Sequence, residues 1–181
     1  LVGSEMCIRD RYIREEMSDG EFVNKFTEWA FAAEDLKSLI PLVRERVDKF
    51  SDVASLCSFY LSSEVNLNED SFSQSKLDQE LVLRILQFSL WRLEGLDDWN
   101  KESVEDALQR LSEQLDTKFR QFLSPLFIAI TGKLVAISVI ESITVLGVDL
   151  CRARIRDAVT VLGGISKKKE KTLVSEYQAL S

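Results

Sequence analysis

The chain has 181 residues, 45% hydrophobic and 29% charged, and its formal net charge at pH 7 is −7. This length suits one large domain or two small ones, and the composition is typical of a soluble globular protein. Because the sequence contains no histidine, Ser–His and Cys–His catalytic pairs are excluded, and a zinc site of the usual Cys/His kind is not expected.

Other chemistry-bearing patterns are also missing. Cys7, Cys57 and Cys151 have no metal-type spacing, and we interpret them as small hydrophobes in a reducing cytosol. The apolar runs 122–130 and 134–140 fall short of the roughly 20 residues that cross a bilayer, so we expect no membrane span. Asp97-Asp98 resembles the start of a helix rather than an acid/base pair. We therefore predict no catalytic, cofactor-binding or metal-binding residues.

The net charge is divided unevenly along the chain. Residues 1–116 hold 13 Lys and Arg against 25 Asp and Glu, whereas residues 117–181 hold 10 against 5. A positive end of this kind indicates a polyanionic partner, because nucleic-acid affinity depends mainly on phosphate neutralisation. The alternative is a solvated basic tail at Lys167-Lys168-Lys169-Glu170-Lys171, which supplies four of the ten cations.

The first elements in chain order are helical. Residues 1–12, LVGSEMCIRDRY, resemble translated sequencing-adapter read-through and are excluded from fold reasoning, with a short amphipathic helix as the alternative. Ser18 and Glu21 form a capping box that opens a helix, a second helix begins near Glu34, and Ser51 caps a third. Residues 62–75 lose this periodicity and are predicted to be a linker.

The second half is helical as well. A helix over 76–94 ends at Gly95, and Asn100 caps the next. Residues 118–123 lead to Pro125, which suits the first position of an apolar helix that ends at Gly132. Two more helices are predicted at 138–146 and 148–162, separated by Gly147. Gly163-Gly164 ends the second of them, and the lysine-rich end is predicted to be loose. The predicted fold is all-α, with two small bundles at 13–68 and 69–166 and a flexible basic tail at 167–181.

Several of these segments occur in an order that resembles a known family. They are Tyr12-Ile13-Arg14, the Trp99-Asn100 turn, Pro125-Leu-Phe-Ile-Ala-Ile-Thr-Gly132, Val145-Leu146-Gly147 and the basic helix Cys151–Arg156. Together they resemble the C-terminal, anticodon-binding part of bacterial-type glutamyl-tRNA synthetase, a class I aminoacyl-tRNA synthetase. The resemblance covers about residues 12–163, and the segments that activate the amino acid are missing.

The resemblance implies a role in protein synthesis. The chain is expected to grip the anticodon stem and loop of a glutamate-accepting tRNA, as the non-catalytic part of a cytoplasmic, monomeric ligase. The full-length enzyme would join glutamate to tRNA with ATP and Mg²⁺, and this chain alone is predicted to be inactive.

The resemblance also assigns candidate RNA contacts. Arg44 and Arg46 match a helix that approaches the anticodon, although pairing with Glu34, Glu45 or Asp48 is an alternative. Phe127 stands where the family usually has arginine; it could stack on an unpaired base or belong to the core.

Residues 133–139 match the lining of the anticodon pocket, and Lys133, Ala136, Ile137 and Ser138 are the candidates there. The candidates for contacts to the RNA backbone are Lys118, Arg120, Arg152, Arg154 and Arg156. On a helix, Arg152 and Arg156 share a face while Arg154 points elsewhere.

An alternative from another class is a helical protein-interaction module with no role in RNA binding. Cations scattered over unrelated faces would favour that module. A stripe that joins Arg44, Arg120 and Arg152 would favour RNA.

Overall fold

The computed structural model describes Ser18, Phe59, Tyr60 and residues 65–132 and 138–180. After a 3₁₀ helix at Glu69–Ser75 come five α-helices: α1 (Gln79–Glu94), α2 (Lys101–Gln114), α3 (Phe119–Thr131), α4 (Val139–Val161) and α5 (Lys167–Gln178). Phe59 and Tyr60 are helical too, and no residue in the described ranges is in a strand. The predicted all-α fold class is confirmed.

The chain divides into two compact units, residues 1–45 and 46–181. Every described residue except Ser18 belongs to the second unit, so the account below concerns that unit by itself. The division falls earlier than the predicted boundary near residue 68. Because residues 19–58 lie outside the described residues, the first bundle predicted at 13–68 stays a prediction.

Helix starts follow the local signals in the sequence. The Asn100 side chain accepts a hydrogen bond from the Ser103 amide and caps α2, as predicted. The Asp78 carboxylate accepts from the amides of Glu80 and Leu81 and caps α1. Each cap satisfies backbone donors that have no partner inside the helix. The predicted end of α1 at Gly95 is also confirmed.

The linker predicted at 62–75 is structured over its second half. Asn68 and Ser71 cap each other's backbone amides at the start of the 3₁₀ helix, and Phe72 is buried in the core. The linker prediction was therefore wrong for Glu69–Ser75. The polar composition that suggested a linker is what this short capped turn requires, and one aromatic side chain anchors it.

Pro125 is inside α3 rather than at its first helical position. Residues 118–123 and the following apolar segment thus form one continuous helix, contrary to the sequence prediction. Proline removes one backbone hydrogen bond, but Phe122, Leu126 and Ile130 are buried on both sides of it. At a spacing of four they share a helix face, and their burial outweighs the local cost of the proline.

Gly147 marks the predicted break inside α4. Its backbone angles, φ 79° and ψ 168°, belong to a region that is essentially restricted to glycine. The two predicted helices therefore meet at a kink. The segments on both sides bury side chains in one core, among them Ile143, Cys151 and Ile155.

The core lies between α1, α3 and α4, with α2 covering one side. α4 packs against α1, α2 and α3. Leu86, Leu108, Leu126 and Ile143, one from each of these helices, are fully buried. Within the described part of the chain, no helix is long and apolar enough to span a membrane.

The basic segment after residue 166 is a helix, so the prediction of a loose tail was wrong for Lys167–Gln178. Ser166 caps α5 through the Lys169 amide, and Leu173 is buried. Tyr177 and Leu180 also pack against the core. The spacing of 173, 177 and 180 is helical, and the lysine run obscured that signal.

Candidate nucleic-acid interface

Two of the candidate arginines meet on one face of α4. Nε of Arg152 is 2.7 Å and Nη2 of Arg156 is 3.0 Å from the same carboxylate oxygen of Glu94, the last residue of α1. The four-residue spacing explains the shared face, as the sequence predicted. The Arg152 and Arg156 side chains are 38% and 58% exposed.

Acidic side chains reduce the charge of this arginine pair. Asp149, one turn before Arg152, approaches it at 3.6 Å and is almost fully exposed. Glu94 and Asp149 together balance the two arginines. A phosphate must therefore share or displace these carboxylates, but exposed ion pairs are weak enough for that exchange.

Arg154 points to the opposite side and is 2% exposed. Its Nη1 donates to the Ile130 carbonyl at 2.6 Å, and its Nη2 donates to the Phe59 carbonyl. Burial lowers the pKa of this guanidinium. A side chain so deeply buried cannot reach an RNA phosphate, so the candidate role of Arg154 in backbone contacts was wrong. It joins α4 to the end of α3 and to the helical segment at Phe59.

Lys118 and Arg120 lie at the other end of α3. Lys118 is the N-cap residue and Arg120 is in the first turn, and both are exposed. Neither side chain makes an ion pair or hydrogen bond within the described part of the chain. No contact joins them to the Arg152–Arg156 pair there, so the structure brings together one pair of candidates and leaves the other separate.

Phe127 precedes the segment that was matched to the anticodon pocket, and Ser138 lies within it. Phe127 is partly buried and packs against the core. Ser138 is the N-cap residue of α4, but its side chain makes no capping bond. Its carbonyl accepts from the Ser142 hydroxyl. Arg44, Arg46, Lys133, Ala136 and Ile137 lie outside the described residues, and their assigned roles stay predictions.

Two features of this surface were missed by sequence reasoning. The first is that Arg154 binds backbone carbonyls, which no local pattern signals. The second is that three lysines at the start of α5 are exposed on an ordered helix. For α5 a signal existed, because Leu173, Tyr177 and Leu180 recur at helical spacing.

Catalytic groups are not evident on this surface. Burial raises the pKa of the Cys151 thiol from 9.0 to about 12, so it stays protonated and is a poor nucleophile. In residues 65–132 and 138–180, no three Cys, Asp or Glu side chains are grouped to hold a metal ion.

The fold and surface define an all-α domain that presents exposed arginine and lysine side chains. The family model described as "Anticodon binding domain" matches residues 21–159. This match covers most of the chain, and the chain belongs to that family.

Two curated relatives that the chain matches are described as glutamate–tRNA ligases. The chain is 41% identical over 169 residues to a glutamate–tRNA ligase of Marinomonas sp., covering 93% of this chain and 34% of that protein. It is 39% identical over 173 residues to a glutamate–tRNA ligase of Marinobacter nauticus, covering 96% of this chain and 35% of the relative. The chain thus spans about a third of the length of the curated relatives it matches. The resemblance predicted from the sequence is confirmed.

A solved structure shows the same fold. The crystal structure of a glutamate tRNA ligase from Elizabethkingia meningosepticum, in complex with its amino acid, aligns with a TM-score of 0.65. The alignment covers 84% of this chain and 31% of that one at 18% sequence identity. At that identity the likeness supports the helical architecture alone.

Proposed function

We propose that this chain recognises the anticodon arm of a glutamate-accepting tRNA as part of a glutamate–tRNA ligase. The observation that carries the proposal is the anticodon binding domain match over residues 21–159. The relatives described as glutamate–tRNA ligases, which align over more than nine tenths of this chain, indicate which amino acid is involved.

The described surface supplies groups that suit this role. Arg152 and Arg156 share one face of α4 beside Glu94 and Asp149, and Lys118 and Arg120 are exposed at the start of α3. Guanidinium and ammonium groups contact phosphates and so position an RNA without reading its sequence. The marked dependence on salt that such contacts produce is a direct consequence of the proposal.

Reading of the anticodon bases is assigned to the segment around α3 and α4. We propose that Phe127, which is only partly buried, stacks on an unpaired base, since aromatic side chains hold unstacked bases in this way. We propose that Lys133, Ala136, Ile137 and Ser138 line the anticodon pocket, and that Arg44 and Arg46 are further contacts to the RNA. Each of these roles rests on the family resemblance.

Formation of the ester between glutamate and tRNA belongs to the rest of the proposed ligase. ATP and Mg²⁺ serve that reaction, and within the described residues no three Cys, Asp or Glu side chains are grouped to hold a metal ion. We propose that the chain by itself binds RNA without catalysis, as a monomer in the cytoplasm.

The proposal is tested by fluorescence anisotropy with the 181-residue chain and two labelled tRNAs. One is a glutamate-accepting tRNA, and the other is the same molecule with its anticodon triplet replaced. We expect the first to bind about tenfold more tightly, since each good base contact discriminates by roughly 1–3 kcal/mol. Equal affinity for the two would contradict anticodon recognition, and an absence of binding at low salt would contradict RNA binding altogether.

A further inference from the structure

The last helix presents cations that the family match does not include. α5 spans Lys167–Gln178, whereas the matched residues end at 159. Its first turn and the residue after that turn hold Lys167, Lys168, Lys169 and Lys171. This concentration of positive charge is not used by any of the contacts assigned above.

Several side chains join α5 to the rest of the unit. Leu173 is 2% exposed, and the Tyr177 ring lies 5.3 Å from each of the Phe88 and Trp91 rings, centroid to centroid. The Tyr177 hydroxyl accepts a hydrogen bond from Nε of Arg92 at 3.1 Å. Arg84 and Glu176 add an ion pair at 3.0 Å. The lysines therefore lie on a helix that contacts the core and not on a loose tail.

The four lysines differ in their surroundings. Lys169 is partly buried and faces Glu80 of α1 at 3.6 Å. Lys167, Lys168 and Lys171 are exposed, and none of them forms an ion pair or side-chain hydrogen bond in the described part of the chain. Lys76, also exposed and without such a contact, lies three residues before the start of α1. The start of α1 is joined to the segment before α5, because the Gln79 side chain donates to the Leu162 carbonyl.

These exposed lysines do not stabilise the helix that carries them. Cations in the first turn of a helix oppose its dipole, and the single acidic residue there is Glu170. Lys167 and Lys171, four residues apart, share a face and repel each other. A cluster of exposed cations attracts polyanions through its electrostatic potential.

We infer that Lys167, Lys168 and Lys171, together with Lys76, bind the sugar-phosphate backbone of the tRNA. The inference rests on the proposed function for the identity of the RNA. The contact is independent of sequence and adds to the anticodon contacts of residues 21–159. It strengthens binding of cognate and altered tRNA by the same factor.

The experiment compares three forms of the full chain in anisotropy titrations across a range of salt concentrations. They are the wild type, the patch variant Lys167→Gln/Lys171→Gln and a control variant Lys101→Gln/Arg110→Gln. The control removes the same amount of charge from the exposed side chains of α2. Each form is titrated with the glutamate-accepting tRNA and with the tRNA whose anticodon is replaced, and circular dichroism melting checks that the variants fold.

For the patch variant we expect the slope of log K against log salt to flatten by about 1.4 to 1.8, the value for two lost phosphate contacts. Affinity for both tRNAs should fall about tenfold near 0.1 M salt, and their ratio should not change. The control variant should match the wild type.

Three outcomes would overturn the inference. If both variants lose affinity equally, net charge rather than the α5 surface is responsible. If wild-type binding is anticodon-dependent and the patch variant is indistinguishable from it, the α5 contact fails while the proposed function stands. If the wild type binds neither tRNA, the proposed function fails and the inference falls with it.

Discussion

Arginines two residues apart on α4 have opposite roles, and the comparison shows what decides them. Arg152 and Arg156 share the Glu94 carboxylate at the surface, whereas Arg154 is buried against two backbone carbonyls. The three side chains are chemically identical, but the helical period places residues 152 and 156 on one face and residue 154 on the opposite one. The inner arginine maintains the fold, and the outer pair is available to a ligand.

The largest change in stability should come from replacing the buried Arg154. Arg154→Met keeps most of the side-chain volume but removes the guanidinium that donates to the carbonyls of Ile130 and Phe59. We expect the free energy of unfolding to fall by about 3–5 kcal/mol, because breaking buried hydrogen bonds to a charged group is costly. Urea denaturation measures this loss.

A conservative replacement checks that the geometry of the guanidinium matters. Arg154→Lys keeps the charge but cannot donate to two separate carbonyls through a planar fork, so it should still lose about 2 kcal/mol. A loss below about 1 kcal/mol in Arg154→Met would contradict the structural role of Arg154.

The junction that Arg154 holds should also be sensitive at Gly132. A Cβ built there would lie 2.7 Å from Cγ1 of Val65, and φ is +76°, a region that disfavours side chains. Gly132→Ala should lower stability by about 1–3 kcal/mol in urea denaturation, through strain and overpacking. Gly95→Ala is the matched control, because its added Cβ would meet only ordinary contacts at 3.6 Å or more. Similar losses in both variants would show that the contact with Val65 has no part in the effect.

The buried Cys151 thiol should make the stability of the fold depend on pH in the alkaline range. Burial raises the pKa of Cys151 from 9.0 to about 12, so the folded state retains its proton where the unfolded chain loses it. The contribution is complete below pH 9 and is lost as pH rises toward 12. Between pH 8 and 10 the wild type should lose about 1 kcal/mol more than Cys151→Ala. Parallel pH profiles of the two proteins would exclude this thiol as the cause.

On the outer face, changes should affect binding more than stability. Glu94→Gln removes the carboxylate that Arg152 and Arg156 share, and we expect a change in unfolding free energy below about 1 kcal/mol. Affinity for tRNA should rise a few-fold, because a phosphate no longer competes with that acid. Unchanged or weaker binding in anisotropy titrations would indicate that Glu94 does not compete at the site.

The sequence predicted what local chemistry controls. Asn100, Gly95 and Gly147 mark boundaries that the structure confirms, because caps and positive φ angles are properties of a few neighbouring residues. Pro125 shows the limit, since burial of Phe122, Leu126 and Ile130 overrides a local preference. α5 shows another, because its lysines suggested a tail although its apolar spacing favours a helix.

For the candidate site too, the sequence predicted the local arrangement but not the tertiary contacts. Helical spacing predicted that Arg152 and Arg156 share a face and that Arg154 does not. It could not predict that Arg154 meets carbonyls from Ile130 and Phe59, which are distant in the chain, nor that Glu94 joins the outer pair. Those partners depend on tertiary packing.

The most direct test of this division is tRNA binding by Arg152→Gln/Arg156→Gln, measured beside the charge-matched control Lys101→Gln/Arg110→Gln. We predict that the first variant loses about tenfold in affinity near 0.1 M salt, with a salt slope flatter by about 1.4 to 1.8, while its urea midpoint stays close to that of the wild type. Equal binding by the two variants would contradict the assignment of the outer arginines to RNA.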